Sequence, residues 1–160
     1  VGGILVGVGA IVVAARTHAL AKQVRNDEQK RDQDAARARY RDHLFRTVEP
    51  AVAALLDQRA NDEEPDSAKP LERVRPVTNV MSRLNVLRAI ANTEDRRYID
   101  AVIGAYGTAI HASDPKAVSD ILASLAVGLP RLLSDDRDVD RLIEATEAAV
   151  AQALQQPAED

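Results

Sequence analysis

The sequence predicts an all-α protein: an N-terminal transmembrane helix, a helical stalk and a small antiparallel helical bundle. Three observations carry that expectation. The chain is 46% hydrophobic yet only 2% aromatic; its apolar content is Ala and aliphatics, which enter helices at little cost, while strands draw on aromatic and β-branched residues. Apolar residues recur at steps of three and four through most of the chain, the period of a helix with one buried face. The first fifteen residues carry no charge at all.

That opening, VGGILVGVGAIVVAARTHALA, is read as a transmembrane helix over residues 1–21. Residues 1–15 alone would span about 22 Å as a helix, short of the roughly 30 Å of a hydrocarbon core. Residues upstream of Val1, or Arg16 snorkelling to the headgroups, would close the gap. The stretch has no polar face, and its glycines suit a membrane helix better than a soluble one. Gly3, Gly7, Ala10 and Ala14 share one helix face, so they are the expected packing face in the membrane, where small residues let two helices approach closely. Arg16, Lys22 and Arg25 are the expected contacts to lipid headgroups. Basic residues follow the apolar run rather than precede it, which places the C-terminal side in the cytoplasm. A rival reading remains open: Ala19-Leu20-Ala21 fits a signal-peptidase site, and cleavage after Ala21 would release an exported helical protein.

Residues 22–59 form the expected basic juxtamembrane stalk and amphipathic helix. Val24 is the single apolar residue of KQVRNDEQKRDQD, so no core can form there. Asp27 precedes Arg31 by four residues, a spacing that supports a solvated helix. Apolar periodicity returns at Ala36, Tyr40, Leu44, Val48, Val52 and Leu55, and Pro50 is expected to kink or restart that helix. The mixed charges, with few aromatics between them, argue against a nucleic-acid site. Arg16, Leu20, Gln23, Arg39, Tyr40 and Leu44, set after a short apolar span, resemble a pattern of uncharacterised single-span bacterial membrane proteins of actinobacterial type. The resemblance covers about the first third of the chain and implies a membrane location, with no activity and no site residues.

Residues 60–70, ANDEEPDSAKP, read as a linker. Residues 71–156 are the expected helical bundle domain. Leu71, Val74, Val80, Leu84 and Leu87 mark its first helix. Asn92 or Thr93 caps the second, which carries Ile99, Val102 and Tyr106. Gly104 and Gly107 in that helix would allow close helix contact. Ser113-Asp114-Pro115 starts the third helix, with Pro at its first position, and Gly128-Leu129-Pro130 ends it. Ser134 is the expected cap of the last helix, whose stripe runs through Val139, Leu142, Ile143, Val150 and Leu154.

The absence of cysteine excludes disulfides, thiolate metal sites and cysteine nucleophiles. His18, His43 and His111 lie in no metal-binding motif. Asp135, Asp136, Asp138 and Asp140 lack the glycine and closing glutamate of a calcium loop, and no phosphate-loop or nucleophile-elbow pattern occurs. The expected function is therefore that of a membrane-anchored, non-enzymatic interaction or scaffold protein in the cell membrane. It needs no cofactor, metal or nucleic acid, and its partners are membrane lipid, a second copy and another protein. An enzyme whose site forms only in three dimensions is the competing class; convergent polar groups in a pocket would reveal it.

Overall fold

A computed structural model describes the backbone of residues 3–63 and 70–155, and the side chains of residues 22–62 and 75–155. Every element among the described residues is helical. Helix α1 is Gly3–Glu63, α2 is Pro70–Ile90, α3 is Thr93–His111, α4 is Pro115–Gly128 and α5 is Val139–Gln155. A 3-10 turn, Leu129–Leu133, follows α4 directly. The chain divides into two compact units, Val1–Tyr40 and Arg41–Asp160.

In the first unit the described side chains from 22 to 39 are all exposed. A helix that is polar on every side must hold itself by local charge pairs, and Arg37 meets Asp34 at 3.9 Å. Among the described residues no helix is long and apolar enough to cross a membrane. The side chains of residues 1–21, on which the transmembrane expectation rests, lie outside those described. The same holds for the side chains of Gly3, Gly7, Ala10, Ala14 and Arg16.

The second unit has a continuous aliphatic core. From α1 come Leu44, Val48, Ala51 and Leu55, all buried and spaced four, three and four apart. From α2 come Val80, Leu84 and Leu87, followed by Ala91 just past its end, at the same spacing. Helix α3 packs against α2, α4 and α5, and α4 packs against α5. It brings Tyr98, Ile99, Val102 and Tyr106 inside, while α4 brings Ile121, Leu122 and Leu125. Each such aliphatic side chain contributes about 1.5–3 kcal/mol on burial. The core therefore rests on many medium-sized groups, with the two tyrosines as its largest buried members.

Local signals set most of the helix ends. The Asn92 side chain accepts from the Asp95 amide, and Asp114 accepts from Lys116 just before Pro115. Two expectations change. Pro50 lies inside α1 without ending it. Its ring removes one backbone donor, and the buried row Leu44, Val48, Ala51, Leu55 keeps the turns on both sides packed. Ser134 does not start the last helix: it closes the 3-10 turn and donates to Asp136. The Asp138 side chain accepts from the Arg141 amide at 3.2 Å instead, as α5 begins.

One close approach is specific to glycine. A Cβ built on Gly128 would lie 2.6 Å from the Tyr98 hydroxyl. That hydroxyl pairs with Thr146, so it has little freedom to retreat. Gly128→Ala should therefore lower stability by about 1–3 kcal/mol through overpacking, read as a shift of the urea midpoint at unchanged slope.

Candidate functional site

The residues singled out for lipid contact fall into two groups. Lys22 and Arg25 are exposed on α1. Arg16 and the Gly3, Gly7, Ala10, Ala14 face lie outside the described side chains.

The second unit carries a buried polar cluster that sequence reading did not find. Asp95 opens α3 and has no solvent exposure. Arg137 grips it with both arms of the guanidinium fork: Nε donates to Oδ1 at 2.8 Å and Nη2 to Oδ2 at 3.0 Å. Asn92 Nδ2 donates to the same carboxylate at 3.0 Å. The Asp95 amide in turn donates to Asn92 Oδ1 at 2.8 Å. A carboxylate at a helix N-terminus also gains from the helix dipole. The fork geometry makes this one of the stronger polar contacts available.

Nearby arginines add to the hold on residues 129–140. Arg41 donates to the Leu133 carbonyl at 3.1 Å and meets Asp135 at 2.6 Å. Arg97 meets Asp140 at 2.8 Å. These pairs are exposed, and each contributes at most about 1 kcal/mol. Asp95–Arg137 is the buried member of the set, and it ties the start of α3 to the segment that leads into α5.

A second buried contact joins α1 to α3. The Tyr106 hydroxyl donates to Gln58 Oε1 at 2.5 Å. Burial pushes the Tyr106 hydroxyl up to about 12, and Asp62 pushes in the same direction, while the Gln58 bond opposes both. Burial likewise raises Tyr98. Every buried side-chain nitrogen and oxygen among the described residues has a partner.

Two surface depressions lie on the second unit. One, about 280 Å³, lies over Tyr98, Gly128, Arg131 and Thr146; it falls just below the roughly 300–1,000 Å³ of small-molecule sites. The other, about 510 Å³ and within that range, is an open groove between α3 and α5 lined by Gly104, Gly107, Thr108, His111 and Leu154. A Cβ on either glycine would meet nothing within 4 Å. The expected close helix contact at Gly104 and Gly107 is therefore not made by the described residues. His43 and His111 are both exposed, and among the described residues no three metal-ligating side chains gather at one point.

Two outcomes follow from the buried polar contacts. Arg137→Met should cost about 3 kcal/mol by leaving the Asp95 charge buried and unpaired, seen in equilibrium unfolding; Asp95→Asn combined with Arg137→Met should recover part of that loss. The Tyr106 value exceeds the roughly 10 of an unfolded chain, so its contribution to stability is complete below about pH 10 and is lost as pH rises toward about 12. Alkaline unfolding should be shallower over that window in Tyr106→Phe than in the wild-type chain.

No family model, curated protein or solved structure matches the chain.

Proposed function

We propose that this chain is a membrane-anchored, non-enzymatic helical interaction or scaffold protein, held by residues 1–21 with its C-terminal unit in the cytoplasm. One observation carries the reading: fifteen uncharged residues are followed closely by Arg16, Lys22, Arg25, Lys30 and Arg31. That order of apolar run and basic flank is the pattern of an anchor with its positive side inside. The exposed helix over residues 22–39 supports it, because a solvated helix beside a membrane needs no core. The basic side chains there would lie within reach of anionic headgroups, each adding about 1 kcal/mol near the surface.

The second unit adds support of a different kind. Its buried polar groups hold helices together. Such a body presents helix surfaces to another protein. The partners are lipid, a second copy and a protein partner; nothing in the reading calls for nucleic acid or a cofactor.

Ala19-Leu20-Ala21 keeps export as the second reading. Washing membranes with alkaline carbonate and sequencing the N-terminus of the C-terminally tagged product separates the two. The anchor reading expects an intact chain that stays in the pellet. A soluble product starting at Lys22 would replace it with export.

A further inference from the structure

The segment after α4 is rich in charge, and nearly all of that charge is engaged. Asp135 meets Arg41, Asp138 meets Arg141 and Asp140 meets Arg97. Asp136 accepts from Ser134, and Arg137 holds Asp95. Arg131 sits in the 3-10 turn that opens this segment. It is exposed, and among the described residues no carboxylate pairs with it. Its positive charge acts on the Tyr98 hydroxyl, favouring the ionised form against burial.

Arg131 lines the depression of about 280 Å³ on α4 and α5. Tyr98 and Thr146 form its floor. The Tyr98 hydroxyl pairs with Thr146, and the Thr146 hydroxyl donates to the Leu142 carbonyl, so the donors of the floor are already used. Val127 and Ala145 supply apolar walls, and half-buried Ser124 adds a hydroxyl. Val127 is 64% exposed, more than any other large apolar side chain described. A hollow that is mostly apolar, with a few polar groups converging on it, is the ordinary make-up of a small-ligand site.

The chemistry of the hollow selects its occupant. A guanidinium presents a planar fork of N–H donors that matches a carboxylate. A phosphate dianion calls for a second cation, and Arg131 is the one cation among the residues lining the hollow. A cationic ligand would be repelled by Arg131. A neutral apolar ligand would strip water from the guanidinium and return no hydrogen bond. The volume lies below the range of drug-sized sites, which suits an alkyl chain of a few carbons.

We propose that the hollow between α4 and α5 binds a small alkyl carboxylate, its carboxylate on Arg131 and Ser124 and its chain against Val127 and Ala145. The site lies wholly within the second unit and does not depend on the anchor.

The full-length chain, purified in a neutral detergent, is dialysed to equilibrium against radiolabelled hexanoate. Arg131→Gln in the same detergent measures partition into micelles. The wild-type chain should bind one hexanoate saturably, with half-saturation at about 1 mM, the range open to so small a ligand. Arg131→Gln should weaken that binding at least tenfold. Val127→Asp should do the same by setting a like charge on the wall. Arg131 and Val127 are both exposed, so both variants should keep the wild-type unfolding transition. Hexylamine, with the same chain and the opposite charge, should not compete, and hexanol should compete at least tenfold more weakly than unlabelled hexanoate. No saturable binding by the wild-type chain, or equal binding by Arg131→Gln, overturns the proposal. Competition by hexylamine or hexanol as strong as that by hexanoate also overturns it. Binding that survives Arg131→Gln but is lost in Val127→Asp means a purely apolar site and rejects the carboxylate.

Discussion

The Asp95 carboxylate is the point on which the second unit turns. It is buried, it starts α3, and it is held by Arg137 from the segment that leads into α5. Helix α3 packs against α2, α4 and α5. A buried charge is tolerable only when its lone pairs are filled, and Asn92 and Arg137 fill them together. The pair adds modest net stability over an apolar substitute. Its value is that the start of α3 and the approach to α5 cannot shift independently.

The tyrosines extend the same logic. Tyr98 and Tyr106 lie two turns apart on α3 and are the largest buried groups of a core otherwise made of small aliphatics. Each brings a hydroxyl that must find a partner inside. Tyr98 finds Thr146 on α5 and Tyr106 finds Gln58 on α1. A core with few aromatics and much Ala and Leu is permissive about helix register. Three directional polar contacts, all from α3, remove that permissiveness.

The all-helical class and the extents of α2, α3 and α4 were legible because each has its own apolar period and local stop signals. Asn92, Asp114 and Pro115 act within a few residues of where they sit, so reading along the chain finds them. Pro50 does not restart the helix, because the buried row from Leu44 to Leu55 packs the turns on both sides of it. Ser134 misled because two caps lie four residues apart, and only the 3-10 turn decides which residue serves which helix. The Asp95–Arg137 and Gln58–Tyr106 contacts join residues 42 and 48 positions apart. No periodicity marks such pairs, and an Asp in a first helical turn looks like any solvated dipole partner. Of the residues expected at lipid headgroups, Lys22 and Arg25 are exposed.

The sequence separations in the second unit also bear on how the chain is made. Contacts among α2, α3, α4 and α5 are mostly between neighbours in sequence, the kind that form quickly. Those of α1 are not: Arg59 reaches Ser119 across 60 positions and Arg41 reaches Leu133 across 92. A ribosome adding roughly 5–20 residues per second leaves the apolar row from Leu44 to Leu55 waiting for its partners for several seconds. During synthesis that row stays uncovered until its partners emerge, and the finished bundle buries it.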